Sequence, residues 1–140
     1  MKKLLILLAV ILLLAGCTGS DDIIEIGDRF FLTQAMDIVI NADEYIGRTI
    51  RYEGIFQTFH RPATGGDYHQ VIRNTFGCCG DDGIVGFVVY LGDIEPFSDN
   101  AWVEVVGILE WFDAGGFQFP RIAADSVTEM AERGQEFVTN

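Results

Sequence analysis

The sequence predicts a mainly β protein, one amphipathic α-helix followed by five short strands closed into an OB-like barrel. Three observations predict it. From Arg48 onward the apolar residues recur with a period of two, the spacing of a half-buried strand, after a stretch with helical spacing. Clusters of Gly, Pro, Asp and Asn divide that region into five short segments. Finally, Thr49-Ile-Arg-Tyr-Glu-Gly-Ile-Phe56 and Trp102-Val-Glu-Val-Val-Gly-Ile-Leu109 align without a gap, with Gly54 and Gly107 in the same phase. A mid-strand glycine weakens a strand unless the strand must coil sharply or another segment approaches closely there. Small barrels impose both demands, and a flat sheet imposes neither.

The chain opens with a basic Met1-Lys2-Lys3, an unbroken apolar run from Leu4 to Leu14, and Leu14-Ala15-Gly16-Cys17. The run is short for a membrane span, and the small residues before Cys17 suit processing. Leu-Ala-Gly-Cys resembles a bacterial lipoprotein lipobox. That resemblance implies a signal peptide over residues 1–16 and diacylglycerol on Cys17. The remainder is then an extracytoplasmic, lipid-anchored membrane lipoprotein. Residues 17–30 read as the lipidated tether, 31–130 as the barrel domain and 131–140 as a polar tail, a loose helix at most.

Within the domain, Thr33 is positioned to cap a helix from Gln34 to about Ile46. Ala35, Ile38, Val39, Ala42, Tyr45 and Ile46 fall on one face, and Gly47 ends it. The first strand starts near Ile50 and reaches His60, and Arg61 to Asp67 forms a turn. The second strand covers Tyr68 to Phe76, the third Ile84 to Leu91, the fourth Ala101 to about Phe112, and the fifth Phe117 to Val127. Gly92 to Asn100 connects the third and fourth. Asp113-Ala-Gly-Gly116 leads into the fifth.

Charge narrows the choice of partners. The chain carries a formal −12, and both lysines precede Cys17, so a mature chain sets seven arginines against twenty-one acidic residues. Such a surface repels nucleic acid and anionic headgroups, which leaves metal cations or a basic protein face. Aromatics such as Trp102, Trp111 and Phe117 are present, but the basic groove that nucleic-acid binding needs is not. Of the three serines, none sits in a nucleophile elbow, and no phosphate loop, dinucleotide fingerprint or zinc-protease motif occurs. The sequence therefore favours a binding or accessory role over an enzyme.

The candidate site is Phe76-Gly-Cys-Cys-Gly-Asp-Asp-Gly83, which leads into the most hydrophobic strand. Adjacent residues of a strand point to opposite faces, so Cys78 and Cys79 serve one site only if the backbone turns between them. Gly77 and Gly80 permit that turn or a bulge. A disulfide between neighbours constrains no loop, so a purely structural bridge is disfavoured. Three readings remain open. One is a thiolate site for zinc or copper. Another is a redox couple using a strained vicinal disulfide. The third is a turn whose cysteines pack as small hydrophobes. Asp81, Asp82, His60 and His69 are the possible helper ligands. His69 precedes Cys78 by nine residues, about 30 Å of extended chain, which places the histidines at the far end of the hairpin.

Several stretches together resemble one family. They are Asp37-Ile38, Tyr45-Ile-Gly-Arg-Thr-Ile50, Glu53-Gly54, the Cys78-Cys79 pair before a Gly-Phe-Val-Val strand, Trp102-Val-Glu-Val-Val-Gly107 and Pro120-Arg-Ile-Ala123. They are similar to the C-terminal soluble domain of the YcgQ-type bacterial membrane proteins, from roughly Phe31 to Met130. The resemblance implies an OB-like fold and a setting beside a predicted permease. Two departures stand out: Gly80-Asp81-Asp82 follows the cysteines where the family has alanine-rich residues, and a lipid on Cys17 replaces transmembrane helices.

Overall fold

The computed structural model describes residues 22–61, 66–77 and 80–139, with the side chains of Arg61, Asp81 and Asp82 left undescribed. Its elements in chain order are β1 (Ile24–Ile26), a 3-10 turn (Asp28–Phe30), α1 (Phe31–Ile40), α2 (Ala42–Tyr45), β2 (Thr49–Arg61) and β3 (Gly66–Gly77). They continue with β4 (Gly80–Tyr90), β5 (Trp102–Asp113) and β6 (Gln118–Glu129).

The strand order is β1-β2-β3-β4-β6-β5, and β5 pairs back onto β2, so β2 to β6 close into a barrel. All pairings within the barrel are antiparallel except β4 with β6, which run parallel over Val88–Arg121 to Tyr90–Ala123. This is the OB-like five-stranded barrel with a preceding helix that the periodicity predicted. β1 lies outside the ring, parallel to β2. Ile26 on β1 is buried, so order extends into the part of the chain read as tether.

The matched glycines do what the echo suggested. Thr49–Ile55 of β2 pairs with Ile108–Trp102 of β5, which sets the two echoing segments side by side. A Cβ on Gly54 would sit 2.8 Å from the Ile72 carbonyl oxygen, and one on Gly107 only 2.2 Å from that of Ala123. Beyond Gly54, β2 exchanges β5 for β3 as its partner, and at Gly107 the β5–β6 register shifts in a bulge. Each glycine is therefore a close approach at a point where the sheet coils.

The helical region departs from its expected form. Helix α1 begins at Phe31, directly out of the 3-10 turn, which puts Thr33 inside the first turn and not at a cap. It breaks at Asn41 (φ −107°, ψ 35°), so one expected helix becomes two. The break is held by side chains: Asn41 Nδ2 donates to Asp37 Oδ1 (2.7 Å), and the Tyr45 hydroxyl donates to the same carboxylate. Phe31, Ala35, Ile38 and Ala42 are buried, and Gly47 ends the segment at φ +85° as expected. Val39 departs from the expected buried face and is 42% exposed.

Phe31, Tyr52 and Phe87 pack in series, the first pair tilted and the second edge-on, with ring centroids 6.0 and 5.4 Å apart. Above them the interior is filled by Phe56, Val71, Val89, Val103, Val105, Leu109 and Ile122. The 92–101 connection lies against the barrel at Phe56: Asn100 donates its N–H to the Phe56 carbonyl, and Phe97 meets the Phe56 ring edge-on. The C-terminal residues are extended and not helical. Phe137 bridges to Asn74 of β3, and Val138 enters the core.

Candidate functional site

The β3–β4 hairpin places the cysteine motif. Its register runs from His69–Val89 to Thr75–Gly83, then shifts, and Gly77 pairs with Gly80. The shift is a bulge, made feasible because Gly83 lies against the Thr75 carbonyl, where a Cβ would be 2.9 Å from its oxygen. Gly80 has φ +118°, a conformation that L side chains rarely adopt. Gly77 and Gly80, expected as turn formers, are paired strand ends, both exposed. Phe76 is exposed beside them and meets Phe137 edge-on at 4.8 Å. Cys78, Cys79, and the side chains of Asp81 and Asp82 lie outside the described residues, as does Cys17.

The two histidines are not at this end. His69 pairs with Thr58, and His60 with Asp67, beside the β2–β3 connection. His69 stacks on Phe56 at 5.4 Å, with its Nδ1 3.3 Å from the Thr58 hydroxyl. The Nδ1 of His60 is 2.7 Å from Asp67 Oδ1. Eight steps along β3, roughly 26 Å of extended chain, separate His69 from Gly77. Among the described residues, no group of three or more His, Cys, Asp or Glu side chains is placed to hold a metal ion.

Sequence reasoning missed Arg73. Its side chain is 1% exposed, the one buried charged residue of the described barrel. Nε donates to the Glu53 carbonyl (2.9 Å), and Nη1 donates to Asp28 (2.6 Å) and the Gln135 carbonyl (3.1 Å). The guanidinium also lies over the rings of Phe31 (4.2 Å) and Trp102 (5.1 Å). The available signal was an arginine interrupting the apolar Val71-Ile72 run. A polar hollow of about 360 Å³ opens next to it, bordered by Glu25, Asp28, Arg51, Glu53 and Glu104. Arg51 bonds Glu104 (3.0 Å) inside this hollow and reaches Glu25 (3.5 Å), while the Glu53 carboxylate accepts from Trp102 Nε1 (2.9 Å).

A larger groove of about 700 Å³ runs along the outside of the same hairpin. Tyr68, Gln70 and Ile72 of β3 line it, alternating with the inward Val71 and Arg73. Val88 and Gly86 of β4, the partners of Gln70 and Ile72, continue the lining, as does Ile84, which pairs with Asn74. Phe59 and His60 flank it from the β2–β3 arm, Phe112, Ala114 and Phe119 from the β5–β6 arm, and Met36 and Val39 from α1. Arg121 is held next to the β5–β6 arm by Glu110 (2.7 Å) and lies 4.5 Å over both the Tyr90 and Phe112 rings. In five-stranded barrels of this topology, the face of the second and third strands between these two arms is a common ligand surface. Here those strands are β3 and β4.

Register and groove define the class: an OB-like barrel domain with an open apolar face and a glycine-pinched hairpin end. The particular family follows from the sequence. The family model described as the DUF1980 C-terminal domain matches residues 14–139, and the chain belongs to that family. It is the same YcgQ-type, permease-associated family that the motifs resemble. No curated protein and no solved structure matches the chain.

Proposed function

We propose that this domain is an extracytoplasmic lipoprotein module, anchored through lipid on Cys17, that serves a permease-type transporter and binds a zinc or copper ion through Cys78 and Cys79. The observation that carries the metal reading is the Gly77–Gly80 pairing. Gly77 and Gly80, which flank the two cysteines in sequence, pair with each other, are exposed and follow a bulge in the β3–β4 register. Two thiolates with Asp81 and Asp82 next in sequence form a mixed soft and hard donor set, which suits Zn²⁺ well and Cu(I) through the thiolates alone. His60 and His69, the other helper candidates, stand at the opposite end of β3 from Gly77, which favours Asp81 and Asp82 over them.

Family membership supports the permease setting. The lipobox-like Leu14-Ala15-Gly16-Cys17 supports the anchor. Among the described residues, no helix is long and apolar enough to cross a membrane.

Cobalt(II) titration of the chain from Thr18 tests the metal site, because thiolate coordination gives a charge-transfer band that carboxylates alone do not. The band is expected in the parent and absent in Cys78→Ser/Cys79→Ser. A parent without the band, its thiols freely reactive toward a thiol reagent at saturating metal, overturns the reading. Fatty-acid labelling in cells that is lost in Cys17→Ala tests the anchor.

A further inference from the structure

We propose that the outer groove of β3 and β4 docks an apolar peptide segment flanked by basic residues. This does not depend on the cysteine reading.

Charge is the first argument. The chain carries −12, yet among the described residues no Asp, Glu, Lys or Arg lines the groove. At its edges Asp67 bonds the lining His60, exposed Asp37 and Asp113 adjoin the lining Met36 and Phe112, and the one described cation there, Arg121 over Phe112, is neutralised by Glu110. Hydrogen bonds from Tyr45 and then Asn41 hold the Asp37 carboxyl below its ordinary range, so it is anionic at neutral pH. A neutral floor within an acidic rim complements an apolar stripe with cationic ends.

The chemistry of the lining excludes other occupants. A nucleic acid needs cations along its backbone, and a glycan needs many polar partners; among the described residues the polar side chains of the lining are His60, Tyr68 and Gln70. An acyl chain needs enclosure. Here Phe119, Ile84, Phe59 and Met36 are 44–54% exposed, so a bare chain would stay half wet. A peptide brings its own polar back to cover that open side, and aromatic anchors such as Phe59, Phe112 and Phe119 are the usual hot spots of such contacts.

The probe is a synthetic peptide with a leucine stripe at helical spacing and lysines at both ends, titrated calorimetrically into the chain from Thr18. Saturable binding is expected, weakened by salt and by replacing the terminal lysines with glutamates. Ile84→Glu and Phe119→Gln, both at exposed positions, should each reduce affinity at least about tenfold while the urea midpoint stays unchanged. Four results would overturn the proposal. One is no saturable binding, and another is unchanged affinity in both variants. The third is a neutral single-chain detergent below its micelle concentration binding the groove more tightly than the peptide. The fourth is self-association in sedimentation that Ile84→Glu abolishes, which would make a second copy the occupant.

Discussion

Gly107 and Gly66 differ in what a single methyl group would meet. At Gly107 a Cβ falls 2.2 Å from a backbone oxygen, whereas at Gly66 nothing lies within 4 Å. Gly107→Ala is expected to cost about 3 kcal/mol, and Gly66→Ala close to nothing, in urea unfolding of the same domain. Equal costs would mean that the barrel coil does not depend on that approach. Tyr52 gives a pH signature. Burial pushes its phenol far above the ordinary range, and its hydroxyl donates to the Val71 carbonyl at 3.0 Å. A raised folded value stabilises fully below the unfolded value, near 10, and that stability is lost as pH rises further. Tyr45, raised by its bond to Asp37, acts in the same direction. Tyr52→Phe should therefore flatten part of the alkaline loss of stability, seen as a smaller drop in thermal midpoint above pH ~10. At this scale the glycines were legible, because phase in a strand is a local property. Arg73 was not, because its partners Asp28 and Gln135 lie 45 and 62 residues away.

The elements show the same division. Alternation along β2 to β6 was readable from residues two apart. The break between α1 and α2 was not, since helical spacing continues through Asn41 and only the Asp37–Asn41–Tyr45 hydrogen bonds mark it. The 3-10 entry also hid the true start of α1, because Thr33 is a plausible cap until Phe31 is seen to be buried. Sequence could place the histidines at the β2–β3 end of β3, away from Gly77, because that depended on strand length alone. It could not reveal the groove, which needs β3, β4 and two arms brought together by closure. Helix α1 is attached through its buried face, so Ile38→Ala, at 1% exposure, should cost about 2–4 kcal/mol. Val39→Ala, on the groove side, should cost far less. Equal losses in chemical denaturation would place the helix differently.

At the scale of the whole molecule, Arg73 joins parts that are distant in the chain: the 3-10 turn, β2, β3 and the C-terminal segment. Removing a buried, fully engaged charge leaves Asp28 and two carbonyls without their donor. Arg73→Ala is expected to cost about 3–5 kcal/mol and to expose the C-terminal segment to proteolysis. An unchanged urea midpoint would contradict that role. The barrel presents two candidate surfaces, the Gly77–Gly80 hairpin end and the neutral groove. The central functional claim concerns the first of these, and native mass spectrometry of the chain from Thr18, purified without chelator, addresses it directly. One bound zinc or copper ion is expected in the parent and none in Cys78→Ser/Cys79→Ser. A metal-free parent would contradict the claim, whether it is two mass units light and restored by mild reductant or carries two free thiols.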